Sequence, residues 1–193
     1  MTRLDHMSLA DLTVDDGARP LMPKLPQATD ADREKGRQLA LIHQHYLHDM
    51  GRIAAVLRRI KAGDAPPEDL RDIVLSSEMT QNFKAFGSLC GQECQILTMH
   101  HNIEETSMFP GLELPEHEGL RAVIARLRQE HRVVHELLVR LERAATMLMQ
   151  MPKEENFKEA AVIFSQLERV VRSHFRYEET ELEEAIGVYL DAI

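Results

Sequence analysis

Prolines cut this sequence into long stretches in which apolar residues recur every three or four positions, and nowhere do apolar and polar residues alternate as in a half-buried strand. The first stretch opens at Thr29 and Asp30, both suited to cap a helix. It runs through Leu39, Ile42, Tyr46, Met50, Ile53 and Leu57 and ends at Gly63 before Pro66 and Pro67. Pro67 opens a short helix, Glu68 to Leu75, leading into a second long one with Phe83, Phe86, Cys90, Leu97 and Met108; Pro110 and Pro115 mark its stop. A third runs from about Pro115 to Met149 with Leu120, Ile124, Leu127, Val134, Leu138 and Leu141 on one side, and Met151-Pro152 ends it. The fourth begins near Glu154, carries Ala160, Phe164, Leu167, Val171 and Leu182, and continues close to Ile193. Four amphipathic segments joined by short turns predict an all-α protein, an up-down-up-down antiparallel four-helix bundle over 29–193 whose core is the natural place for a metal site. Residues 1–28 hold Pro20, Pro23 and Pro26 and show no sustained period, so they read as an extended N-terminal arm.

At 193 residues and 44% hydrophobic content the chain suffices for one core. Asp and Glu outnumber Lys and Arg by 32 to 23, and Arg58, Arg59 and Lys61 form no basic stripe, which argues against nucleic-acid binding. No apolar run approaches the ~18 residues of a membrane span, and Met1 to Asp16 lack the apolar core of a secretory signal. The expected location is the cytoplasm. Cys90 and Cys94, four apart on a helix, have poor disulfide geometry and read as free, buried thiols.

Ten histidines stand beside no tryptophan and three tyrosines. On the fourth helix His174 and Glu178 occupy positions where the apolar row calls for leucine or valine, and a carboxylate buried there needs a partner or a cation. On the third, His131 and His135 lie one turn apart between Leu127 and Leu138, a spacing that can grip one ion. The second offers His100 with Glu104 or His101 with Glu105, and the stripe through Cys90, Leu97 and Met108 favours the first pair. On the first helix, His43 leads the apolar stripe and is preferred to His45 and His48. Five imidazoles and two carboxylates exceed what one tetrahedral zinc uses; two ions are implied, and a mixed nitrogen and oxygen set suits iron or manganese.

These pieces resemble the hemerythrin-like, or HHE, cation-binding domain: His43 within Ile42 to Leu47, HHNIEETSMFP from His100, EHRVVH from Glu130, and HFRYEE from His174. The resemblance covers about residues 35–187. It implies a non-haem di-iron centre in which His131, His135 and His174 hold one iron, His43 and His100 hold the other, and Glu104 and Glu178 bridge them with an oxo or hydroxo group. It also implies an open iron position for dioxygen or a similar small ligand. The chain departs from the oxygen carriers of the family in having glutamate four residues after the last histidine, where they have aspartate five after.

The remaining histidines, His6, His45, His48 and His117, read as surface or hydrogen-bonded residues. His101 and Glu105 should sit about 100° from the buried row, where they can support ligands rather than act as them. Met99, Met108 and the methionines from Met147 to Met151 read as core filler, and Glu179, Glu181, Glu183 and Glu184 as solvent-facing. Tyr46 and Tyr177 are the hydroxyls expected to approach the metals. The functional expectation is binding or sensing of dioxygen or nitric oxide; the alternative is an enzyme that activates oxygen or decomposes peroxide. A ferritin-like carboxylate site is rejected because no histidine follows a glutamate by three residues, and a metalloprotease because His131 to His135 lacks the glutamate of H-E-x-x-H.

Overall fold

The computed structural model describes residues 4–64, 91–151 and 153–191, and its regular structure is entirely helical. The short helix expected over Glu68–Leu75, together with Pro66, Pro67, Phe83, Phe86, Cys90 and Pro152, lies outside the described residues, as does the side chain of Cys94. Among the described residues six α-helices follow in order: α1 (Asp30–Gly36), α2 (Gln38–Ala62), α3 (Gly91–Ile103), α4 (Phe109–Leu112), α5 (Glu118–Gln150) and α6 (Glu154–Tyr189). A π-helical turn, Glu104–Met108, joins α3 to α4, and three short 3-10 turns lie between Leu4 and Ala18.

The helix ends follow from local chemistry. Thr29 caps α1 in a reciprocal capping box with Asp32, satisfying two backbone donors that a helix start leaves free. Gly63 closes α2 at φ 76°, the left-handed conformation that glycine adopts without a Cβ penalty. The long first helix expected from sequence is broken at Arg37 into α1 and α2. Gly36 sits there because a Cβ would overlap the backbone of Glu183, and a Cβ on Gly187 would likewise overlap that of Asp32, so α1 and α6 cross at backbone contact. Pro110 does not stop the second helix. It lies in the first turn of α4, where its missing N–H costs little, and the helical path continues to Leu112.

Buried apolar residues form two clusters. One gathers Met50 and Ala54 of α2, Leu97 of α3, Val134 to Leu148 of α5, and Phe157 to Phe175 of α6. The other gathers Leu39 of α2, Met108 to Leu112, Leu120 to Leu127 of α5, and Tyr177 to Ile186 of α6. Along α2 and α5 the chain passes from the second cluster to the first; along α3 and α6 it passes the other way. Between the clusters, every long helix contributes buried histidine or glutamate.

The segment before α1 is tied down along its length. Leu12 and Leu25 are buried, one in each cluster. Gln166 donates to the Leu12 carbonyl at 2.7 Å, and the Met22 and Leu25 amides donate to Glu181 and Glu184 at 2.5 and 2.8 Å. Glu183 pairs with Arg37 at 3.3 Å. Glu181, Glu183 and Glu184 therefore do not face open solvent as expected, because the N-terminal segment and α1 cover that side of α6. Ile42, Met99, Met147 and Met151 are exposed rather than core, whereas Met108 is buried. No described helix is long and apolar enough to cross a membrane.

Candidate metal centre

The layer between the two clusters is polar because each helix keeps its buried row but changes residue type there. On α2 the row Leu39, His43, Met50, Ala54 places a fully buried imidazole in line with core residues. On α6, Val171, His174, Glu178 and Leu182 are all fully buried. On α3, Leu97, His100 and His101 are buried, and the π-helical turn that follows turns Glu104 and Met108 inward as well. Such a widened turn changes helix register and is frequent at functional sites.

Two groups of potential ligands result among the described residues: His101, His131 and His174, and His43, His100, Glu104 and Glu178, each with ligand atoms within 4.8 Å of one another. In the second, His43 Nε2 lies 3.0 Å from His100 Nε2, and His100 Nε2 lies 2.8 Å from Glu104 Oε1. The groups meet through their carboxylates. Glu104 Oε2 is 3.4 Å from His131 Nε2, while Glu178 Oε2 is 3.6 Å from His43 Nε2 and 3.8 Å from His174 Nε2. Phe175 stacks on His43 with ring centroids 3.7 Å apart, closing that side with hydrocarbon.

Three of the imidazoles face a carboxylate with the other nitrogen. His43 Nδ1 lies 2.9 Å from Glu179, His131 Nδ1 2.9 Å from Glu105, and His174 Nδ1 3.2 Å from Glu130. With Nδ1 donating outward, Nε2 is left as a lone pair aimed inward, the tautomer that ligating histidines adopt. Burial pushes His43 down to about 2, helped by His100 and His174, and pushes His100 down to about 4. His101, His131 and His174 are lowered by burial in the same way. Glu104 and Glu178 are pushed well above the usual carboxylate range by burial, reinforced at Glu104 by Glu105 and at Glu178 by Glu104. Burial works against ionisation of Glu130 too, but hydrogen bonds from His174, Arg19 and Arg126 outweigh it and hold that carboxyl at about 2.

A model of the hemerythrin HHE cation-binding domain matches residues 37–186 of the chain. The chain belongs to that family. No curated protein and no solved structure gave a match.

The residues present fit the cation that this family binds. Both ring nitrogens of His101, the Nε2 atoms of His131 and His174, and all four carboxyl oxygens of Glu104 and Glu178 are buried and have no hydrogen-bond partner among the described residues. Each such atom costs about 1–3 kcal/mol when left unsatisfied, and a cation bound among them removes that cost. Neutral imidazoles and carboxylates are the donor set of iron and related divalent metals.

Of the seven residues expected from the sequence, the hemerythrin HHE fold brings together His43, His100, Glu104, His131, His174 and Glu178. His135 is half-buried and stands outside both groups, its ring 5.7 Å from that of His101. The buried row of α5 continues from His131 to Val134 rather than to His135. His101, placed off the buried row by ideal helix geometry, is instead fully buried and stacked on His131 at 4.1 Å. Its position was missed because both residues of the His100-His101 pair turn inward, between α2 and α5. Glu105 faces the imidazole of His131, in the supporting place expected for it, whereas Glu179, expected to face solvent, faces the imidazole of His43. Tyr46 lies near the site, 5.2 Å from His100 between ring centroids, and burial together with Glu104 raises its pKa. Tyr177 points elsewhere and donates to the Pro20 carbonyl at 2.7 Å. His6, His45 and His48 are exposed, and His117 bonds Tyr189 at 2.7 Å.

Proposed function

We propose that this hemerythrin HHE chain is a di-iron protein that binds or senses a small diatomic ligand, dioxygen or nitric oxide. The observation that carries the reading is the position of the two carboxylates. Glu104 lies between His100 of one group and His131 of the other, and Glu178 between His43 and His174, as bridging ligands to two ions would. His101, His131 and His174 would hold one iron, and His43 with His100 the other. The reversal of direction between successive long helices supports an up-down-up-down antiparallel bundle around them.

When bound, such a pair would supply reducible metal chemistry, and the side held by His43 and His100 would be the one with fewer imidazoles. The chain's own residues do the rest. Glu179 and Phe175 fix the plane of His43 from its edge and its face, Glu105 orients His131, and the two apolar clusters keep bulk water from the layer between them. Tyr46 is the phenol closest to the two-imidazole side and is available to hydrogen-bond there.

The test is to expose the iron-loaded, reduced protein to dioxygen and, separately, to nitric oxide while recording its absorption spectrum. A new charge-transfer band that reverses when the gas is removed is expected. Bleaching to a ferric form with no band, or many turnovers of peroxide consumption, would replace this reading with the enzymatic one.

A further inference from the structure

The family match begins at residue 37, yet a residue from the segment before it reaches the edge of the metal centre. Arg19 grips Glu130 with two prongs: Nε lies 2.9 Å from Oε1 and Nη2 lies 2.8 Å from Oε2. Both side chains are almost completely buried, at 6% and 2% exposure. Glu130 Oε2 in turn faces Nδ1 of His174 at 3.2 Å.

Arg19 is itself held on every side. It donates to Ser173 Oγ at 2.9 Å, pairs with Asp16 at 2.8 Å and lies 4.6 Å over the ring of Tyr177, whose hydroxyl donates to the Pro20 carbonyl. The other two supporting carboxylates differ. Glu105 is braced by Arg128, from within the family-matched region, at 2.9 Å, and Glu179 is 30% exposed. Of the three, the buried Glu130 is the one steadied from the N-terminal segment.

We infer that Arg19 is a positioning residue of the metal centre: through Glu130 it fixes the ring of His174, so that the N-terminal segment sets the metal affinity of the three-imidazole side. The physical reason is geometric. A planar guanidinium that bonds both oxygens of a carboxylate fixes its plane, and a carboxylate fixed in plane can accept the imidazole N–H in one place only. The Nε2 lone pair of His174 then points in one direction before any ion arrives. The inference rests on the proposal that His174 is a ligand.

The experiment uses the full-length chain with Arg19→Ala, Arg19→Lys, Glu130→Gln and, as a control, Gln166→Ala. The control releases the same N-terminal segment at Leu12 without touching Glu130. Arg126, 2.8 Å from Glu130, still neutralises that carboxylate when Arg19 is gone, so the Arg19 variants retain a paired charge. Iron stoichiometry, chelator competition and the Mössbauer spectrum of the loaded protein are measured.

Arg19→Ala and Glu130→Gln should each weaken one of the two ions about 10- to 100-fold and change one of two Mössbauer doublets, with Arg19→Lys in between and Gln166→Ala like wild type. Wild-type affinity and unchanged doublets in Arg19→Ala would overturn the inference, and so would an equal loss in Gln166→Ala. A wild-type chain that takes up no iron would sink the reading of His174 as a ligand and the inference with it, whereas wild-type affinity in Arg19→Ala beside a wild type that loads two irons overturns the inference alone, which separates the two failures.

Discussion

Replacing Glu178 by leucine should strengthen the iron-free protein and weaken the iron-loaded one. The Glu178 side chain is 0% exposed, and neither carboxyl oxygen has a hydrogen-bond partner among the described residues; its nearest imidazole nitrogens stand off at 3.6 and 3.8 Å. Leaving such a group unsatisfied costs about 1–3 kcal/mol, and its raised pKa adds to that cost as pH rises above 4.5. Leucine removes both costs and fits between the neighbouring apolar clusters. The iron-free variant should therefore gain roughly 2–3 kcal/mol, which for a chain of this size raises Tm by roughly 5–10 °C. With iron the order reverses, because an ion present at 1,000 times its Kd adds about 4.1 kcal/mol to wild type, more than leucine gains, and little to a variant that has lost the proposed bridging ligand. Thermal unfolding in chelator and in excess ferrous iron measures both. If Glu178→Leu melts at or below wild type in chelator, the carboxylate is a structural element of the fold and the argument from orphaned atoms fails.

Other outcomes follow from the same geometry. His101→Ala should cost more iron affinity than His135→Ala, measured by chelator competition; the opposite order would return the third imidazole of that group to His135. Iron-free stability should depend on pH from two sides. The imidazoles of His43 and His100 have folded pKa values below 6.5, so their contribution is lost as pH falls from 6.5 through about 4 for His100 and about 2 for His43, roughly 3 kcal/mol for His100 alone. Glu104 and Glu178 have raised values, so their contribution is lost as pH rises above 4.5. Urea titrations in chelator should show stability falling with acid below about 4.5, where the imidazoles still titrate and the two carboxyls no longer oppose them; stability that holds or rises on acidification below 4.5 would contradict the assignment. Gly36→Ala should cost at least about 1–3 kcal/mol, since its Cβ has only the Glu183 backbone to displace; a neutral effect in the same titration would mean that α1 can move off α6 freely.

Much of the arrangement is legible in the sequence, and the parts that are not have specific causes. Thr29 and Gly63 announce helix ends because capping is local chemistry. His43 can be preferred to His45 and His48 because it shares a row with Leu39 and Met50, and the same rule finds His174 and Glu178. His101 escapes that rule. Ideal α-helical register allows one of two adjacent residues inside, whereas here the pair sits where α3 is enclosed on both flanks and gives way to a π-helical turn. Arg19 and the glutamates of α6 were unreadable for a different reason. Their partners lie 111 to 159 residues away in sequence, and a charged residue that meets a distant partner has the same local pattern as one that meets water.

The polar layer between the two apolar clusters is proposed to hold a pair of irons. Metal analysis of freshly purified protein, with an absorption spectrum before and after reduction, tests it most directly. About two irons per chain, with visible absorption that is lost on reduction, is the expected result. Roughly one zinc per chain and no visible absorption would contradict it, and would mean that one of the two ligand groups closes around a single ion.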